Sequence, residues 1–575
     1  MKHIFGTATG FCIYWMGTVF TYGQNLPNAG ALQQQLERQI PSLQNLPSAG
    51  PSAPLSQSTP SKDEEKIDIA DFRLKGRTLV PQEDLDKVIQ PWRNRSLSLN
   101  QIQDVANAIS NAYRLHDYVA QVLVPEQKIE NGIVDLQIIE VQLGKIKIEN
   151  DGINPDNPRF TNQIAREYLL ERNQENAPLR VNRLQRAIMI VSETPGANLT
   201  GTLEPGDKEG TSDFRTQLHD TKFVTGRGEF SNFGSRSTGI PQAIGNVNFN
   251  NISGYGDIVS LNGIASQGSS YGQAQYQLPV GRDGWRVGAT ASYLDYRTIG
   301  EFNTLGSRGS AYTYGFNVYY PIVRGVQANT NFVAGYDNKN YLNLTSEPYS
   351  VIGRYTLNNF YMVFSGNYFD AFGEGALTYW SITGTAGNLV IGDLNQTQSD
   401  LAGANTNGIF KKIVFNYNRY QNIEPNISTV LFSLSGQMAD SNLNSGEQFY
   451  LGGPYGVRAY PVSQASGSNG LLFTLEYQHK IPVDNTTLIA FFDMGRVKQY
   501  INLYDGWQGL TNAENYYNLY GAGFGFKWAK DTYQFNASLA IPLGNNPLYS
   551  NNGTQVNVDN RQINPQVWVQ GIIYF

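Results

Sequence analysis

The run Phe491-Phe492-Asp493-Met494-Gly495 places a carboxylate in an otherwise apolar setting. Leu488, Ala490, Phe492 and Met494 recur at every second position and so share one face of an extended segment, while Phe491, Asp493 and Gly495 share the other. If the apolar face meets lipid, Asp493 points into a lumen, because a carboxylate facing lipid at mid-depth would cost on the order of a few kcal/mol. The plain reading of such a residue is a carboxylate solvated in a pore. Arg458 stands in Leu451-Gly452-Gly453-Pro454-Tyr455-Gly456-Val457-Arg458-Ala459-Tyr460-Pro461, within a long Gly/Ser/Asn-rich stretch between segments ending near Gln437 and starting near Leu471. Its plain reading is an incidental arginine of a surface loop.

Other chemistry is thinly provided. The four histidines, His3, His116, His219 and His479, are scattered, and the single cysteine, Cys12, falls near the start of the chain. The pattern therefore predicts no metal site, no thiol nucleophile, no disulfide and no cofactor. Gly521-Ala522-Gly523-Phe524-Gly525 superficially suggests a nucleotide turn, but it lies in an alternating stretch with no helix to follow, so it reads as small lumen-facing or close-packed strand residues. A formal net charge of -6 gives no basic field for nucleic acid. Nothing resembles a Ser/His/carboxylate hydrolase, and the chain reads as a conduit without catalytic residues.

The elements that must position Asp493 and Arg458 follow from period-two patterning. From about residue 219 to Phe575, stretches of roughly ten alternating residues recur between turn-forming clusters, about sixteen times. In Leu471-Leu472-Phe473-Thr474-Leu475-Glu476-Tyr477-Gln478, the residues Leu471, Phe473, Leu475 and Tyr477 share one face and Leu472, Thr474, Glu476 and Gln478 the other. Backbone polar groups must all be paired in hydrocarbon, so strands cross a bilayer only as a closed antiparallel barrel. The 35 Tyr and 28 Phe suit aromatic girdles at the two interfaces. A mean hydropathy of -0.37 does not oppose this, since half of each strand faces water. The final strand ends on Phe575, an aromatic ending that resembles the recognition signal of bacterial outer-membrane proteins.

Ahead of the barrel, residues 1–23 have the pattern of a secretory signal peptide. Within 24–40, Leu32, Leu36 and Ile40 form one apolar stripe on a short helix over Ala31–Ile40 that Pro41 ends. So short a helix is marginal alone and needs a surface to dock on. Residues 41–66 are rich in Pro, Ser, Gln and Ala and read as a linker. Residues 67–142 and 143–218 each follow a β-α-α-β-β plan. In the first, a strand is expected over Ile67–Leu74, and Ser98 with Gln101 predicts a capping box for a helix whose face carries Leu99, Ile102, Ala106, Ile109 and Tyr113.

Specific runs carry a resemblance. The first, from Leu99 and Tyr113 through Asp117-Tyr118-Val119 to Pro125-Glu126-Gln127-Lys128-Ile129-Glu130-Asn131-Gly132-Ile133-Val134, resembles the first POTRA domain of the two-partner secretion transporters, the TpsB family. The second, from Pro178-Leu179-Arg180 through Pro195-Gly196 and Thr202-Leu203-Glu204-Pro205-Gly206 to Gly210-Thr211-Ser212-Asp213-Phe214, resembles their second. Val457-Arg458-Ala459-Tyr460 resembles the VRGY tip of the sixth extracellular loop, with Ala459 where the family has Gly, and Phe491-Phe492-Asp493-Met494-Gly495 matches the FxDxG pattern of the thirteenth strand.

The resemblance implies a transmembrane β-barrel of sixteen strands in the bacterial outer membrane, with two α+β POTRA domains in the periplasm. It also implies an N-terminal plug helix carrying Leu32, Leu36 and Ile40. In such a protein the loop tip folds into the lumen, where Arg458 and Asp493 can form a bidentate, partly desolvated pair, with Phe491 and Gly495 part of the anchor on the wall. If position 459 needs a positive φ, alanine there is strained. The implied function is ATP-independent export of one large secreted exoprotein, bound through the POTRA domains. Outer-membrane lipid and the barrel-assembly machinery are further expected partners. Two other readings stay open: a barrel-assembly factor of the same superfamily, and a diffusion porin or adhesive barrel. The leading helix likewise has a second reading, a remnant of the signal segment without a role.

Overall fold

Alternation resolves into a wall. In the computed structural model, which describes residues 27–41, 66–151, 159–304, 306–508, 514–544, 546, 555–562 and 564–575, sixteen strands pair antiparallel in sequence order, and the last, Gln566–Tyr574, returns to the first, Val224–Ser231. The expected signal peptide and most of the expected linker lie outside the described residues. Counted along the barrel, the eleventh, twelfth and thirteenth strands are Ser428–Ala439, Asn469–Lys480 and Thr486–Lys498. The thirteenth obeys the predicted faces: Leu488 is exposed and Asp493 is 0% exposed. A closed ring leaves no unpaired strand edge, which is the condition for crossing hydrocarbon.

Two small α+β modules precede the barrel. In the first, helices Gln82–Ile89 and Leu99–Leu115 pack on a three-stranded sheet in which Ile133–Glu140 lies between Asp71–Lys75, parallel to it, and Ala120–Leu123, antiparallel. The strand expected over Ile67–Leu74 is broken at Ala70. Lys66–Ile69 pairs instead with Arg95–Ser98, because the Ala70 N–H donates to the Gly132 carbonyl (2.7 Å) and its carbonyl accepts from Asn94 N (3.4 Å). The capping box forms: Gln101 N donates to Ser98 Oγ (3.3 Å) and Ser98 N to Gln101 Oε1 (2.9 Å). Leu99, expected on the buried face, is 65% exposed, because the core stripe begins one turn later at Ile102.

The second module has strands Gln142–Asn150, Ala197–Pro205 and Thr211–Asp220, the last in the middle, with helices Asn162–Leu170 and Val181–Ser192. It is bolted to the adjacent rim of the barrel. Arg324, at the end of the sixth barrel strand (Arg308–Arg324), pairs with Glu193 at 2.6 Å with its side chain fully buried, Arg282 pairs with Glu167 at 2.8 Å, and Asp283 meets both Arg172 and Arg186.

The leading helix spans Ala29–Glu37, two residues earlier and three residues shorter at its end than the periodicity predicts. Asn28 caps it by accepting from Ala31 N at 2.9 Å, and the chain then tightens to i→i−3 bonds at Gln39 and Ile40 before Pro41 is reached. The helix lies in the lumen. Its stripe, Leu32 and Leu36, is buried among Ile244, Leu294, Tyr341 and Leu443, with Ile40 packed at the margin.

Candidate functional site

The loop between the eleventh and twelfth strands turns back into the barrel. A short hairpin, Phe449–Leu451 with Ala465–Gly467, carries the Val457–Tyr460 tip inward, and Val457, Ala459 and Tyr460 are buried against Phe491, Val497, Leu519 and Ala540 on the wall. Glycines make this seat possible. A Cβ on Gly495 would fall 2.7 Å from Leu451 Cδ2 and 3.0 Å from Val457 Cγ2, and a Cβ on Gly521 would fall 2.5 Å from Ala459 Cβ. Ala459 itself has no left-handed backbone, so the strain foreseen for alanine does not arise; its methyl occupies the space that Gly521 leaves open.

Arg458 meets Asp493 with two of its three guanidinium nitrogens and its backbone N–H. Nε and Nη2 donate to the two carboxylate oxygens at 2.9 Å each, and the Arg458 backbone N–H adds a third bond at 3.1 Å. The remaining terminal nitrogen, Nη1, donates to Glu476 at 2.9 Å, and Thr474 Oγ1 donates to Asp493 at 2.9 Å. The guanidinium lies 3.4 Å over the Phe491 ring centroid, and the Arg458 carbonyl accepts from Trp568 Nε1 at 2.8 Å. One cation thus bridges two carboxylates on neighbouring strands, in the forked geometry that arginine offers and lysine does not. Sequence reasoning put Glu476 on the lumen face but gave it no partner. It left out Trp568, although alternation in the last strand turns that residue inward.

The leading helix occupies the same lumen. Ala29 N donates to Asn343 Oδ1 at 2.8 Å, Gln33 Nε2 to Thr313 Oγ1 at 2.8 Å, and Tyr296 OH to the Pro27 carbonyl at 2.9 Å, all on the fifth to seventh strands, Trp285–Arg297, Arg308–Arg324 and Ala328–Ser346. Gln34 donates to the Gly446 carbonyl of the inserted loop. Phe575 sits at the closing seam: its N–H and carbonyl both bond Gly226 at 3.1 Å, and a Cβ on Gly226 would fall 2.5 Å from its ring. Among the described residues no His, Cys, Asp and Glu group is arranged to hold a metal.

Over residues 210–528 the chain matches the family described as haemolysin secretion/activation protein ShlB/FhaC/HecB, and over 67–141 the POTRA domain of ShlB type. It is 27% identical over 552 residues to the heme/hemopexin transporter protein HuxB of Haemophilus influenzae, covering 92% of this chain and 93% of that one. It is 25% identical over 471 residues to the outer membrane transporter CdiB of Dickeya dadantii, covering 78% and 80%. The solved structure of CdiB from Escherichia coli shares the fold, with a TM-score of 0.69 at 18% identity over 95% of this chain and 98% of that one. Because the family match runs through more than half of the chain and takes in both the inserted loop and its anchoring strand, the chain belongs to the haemolysin secretion/activation family and is an outer-membrane transporter that exports a partner exoprotein.

Proposed function

We propose that the resting transporter is closed by two inserted elements, the Val457–Tyr460 loop tip and the Ala29–Glu37 helix, and that export begins when the helix, tethered by the linker over 41–66, leaves the lumen and the loop yields. The observation that carries this reading is that both elements lie in one lumen and that the helix touches the same loop at Gly446. Arg458 on Asp493 and Glu476 is the clasp of the loop. Phe491 stacks beneath the guanidinium, and Gly495 gives Val457 its seat.

The passenger adds a strand to an open POTRA edge. Ala120–Leu123 and Ala197–Pro205 each lie at an edge of their sheets, and backbone pairing there tolerates varied passenger sequence. Direction comes from folding outside the cell, since the periplasm supplies no ATP. Residues 1–23 act as the secretory signal, the outward strand faces contact outer-membrane lipid, and Phe575 is read by the barrel-assembly machinery during biogenesis. The alternative of a barrel-assembly factor is less supported by the family membership. Co-expression with a candidate exoprotein decides it. The exoprotein appears outside cells only when the transporter is present, while other outer-membrane barrels keep their levels when it is depleted; a fall in those levels would favour assembly.

A further inference from the structure

The inserted loop has a second ionic attachment, ten residues before its Val457–Tyr460 tip and on other strands of the barrel. Glu447, 4% exposed at its side chain, accepts from Lys339 Nζ at 3.1 Å and from Lys412 Nζ at 2.7 Å. Asn359 Nδ2 donates to the same carboxylate at 2.7 Å, and the Glu447 backbone carbonyl accepts from Lys412 at 2.9 Å and Gln437 at 3.0 Å. These partners come from the seventh, eighth, tenth and eleventh strands, whereas the Arg458 cluster takes its carboxylates from the twelfth and thirteenth and Trp568 from the sixteenth. Taking away the Glu447 charge leaves two largely buried ammonium groups without their ion-pair partner, with Asp337 and Glu37 the remaining carboxylates near Lys339.

The turn immediately before Glu447 is the seat of the leading helix. Ser445 Oγ donates to Asn28 Oδ1, the N-cap, at 2.7 Å, Gln34 donates to the Gly446 carbonyl, and a Cβ on Gly30 would fall 2.8 Å from Gly446 Cα. The helix therefore rests on wall strands on one side and on this turn on the other. We propose that Glu447 is a positioning residue of the gate: held by Lys339 and Lys412, it fixes the Ser445–Gly446 turn, and its loss releases the leading helix while the loop tip stays clasped on Asp493. The inference rests on the plug reading above.

The test is a cross-link between Asn28→Cys and Ser445→Cys in the full-length transporter carrying Cys12→Ser, which removes the one native cysteine. Adding Glu447→Gln should cut the cross-link yield roughly tenfold, equivalent to ~1.4 kcal/mol, and raise channel conductance. Trypsin added outside the cell should still fail to cleave after Arg458. An unchanged cross-link overturns the proposal, as does cleavage after Arg458 that appears together with cross-link loss, since the two attachments would then be one. If Glu447→Gln lowers the amount of inserted barrel, the charge exchange Glu447→Lys with Lys412→Glu is used instead, and it must restore the cross-link; failure to do so also overturns the latch. Deleting the helix separates the two ideas. No conductance change on deletion refutes the plug, whereas the cross-link, read in the undeleted chain, tests the latch by itself.

Discussion

At the scale of single residues, the loop clasp depends on charge and shape together. Arg458→Ala would leave Asp493, fully buried, without its cation, at a cost on the order of 3–5 kcal/mol. Export by Arg458→Ala or Asp493→Ala is expected to fall at least about tenfold, a loss that ~1.4 kcal/mol already produces, with the barrel still inserted and heat-modifiable on gels. Wild-type export from either variant would remove the pair from the mechanism. Arg458→Lys should not restore export, because an ammonium cannot engage Asp493 bidentately and reach Glu476 at once. Gly521→Ala is a sharper probe, since its methyl would lie 2.5 Å from Ala459 Cβ. It should displace the tip and lower export, and Ala459→Gly in the same chain should bring export back.

At the scale of elements, the leading helix is too short to be stable in water and is held by its surroundings. Deleting 24–40 is expected to raise single-channel conductance in planar bilayers while sparing most secretion; unchanged conductance would contradict the plug. The first module offers an acid-sensitive counterpart. Burial alone would raise the Glu140 carboxyl, but bonds from the Thr78 hydroxyl, from the Thr78 and Leu79 N–H groups (2.6 and 2.7 Å) and from Tyr113 OH (2.8 Å) hold it below the usual 4.5. Burial and that same contact push the Tyr113 phenol up. A carboxylate with a depressed folded pKa contributes stability that is complete above its ordinary value and is lost as pH falls through the folded one. Protease resistance of this module in the full chain should therefore decline below about pH 4.5. In Glu140→Gln it should be lower at neutral pH and flatter across the acid window. A wild-type module that titrates no more steeply than the variant would exclude Glu140 as the cause.

At the scale of the whole molecule, the second module is fastened to rim turns of the barrel, and this joint is expected to align passenger capture with passage. The buried Arg324–Glu193 pair and the Asp283 cluster span that joint. Glu193→Ala with Asp283→Ala should leave the barrel inserted and the modules folded, yet lower export and speed proteolysis at the joint between residues 218 and 224. Equal export and equal proteolysis would mean that the joint contributes no alignment. The same fastening explains why this region resists reading from sequence. Arg172, Arg186, Arg282 and Arg324 look like ordinary surface charges until the rim turns of the barrel are brought beneath the module.

What the sequence determined by itself was whatever depends on local periodicity: the barrel, its inward and outward faces, the orientation of Asp493 and Glu476, the two modules and the stripe of the leading helix. Period-two alternation and helical spacing act within a few residues, so they are legible without partners. Beyond the Arg458–Asp493 pair, which the family motifs already implied, only the tertiary structure showed which inward groups meet. It added Glu476 to the Arg458 guanidinium, gave Glu447 its two lysines, fitted Ala459 into the gap at Gly521 and laid Phe575 over Gly226. Those contacts join segments tens to hundreds of residues apart. Their geometry follows from ring closure and from how far a loop and a helix reach into the lumen, which no short stretch of chain encodes.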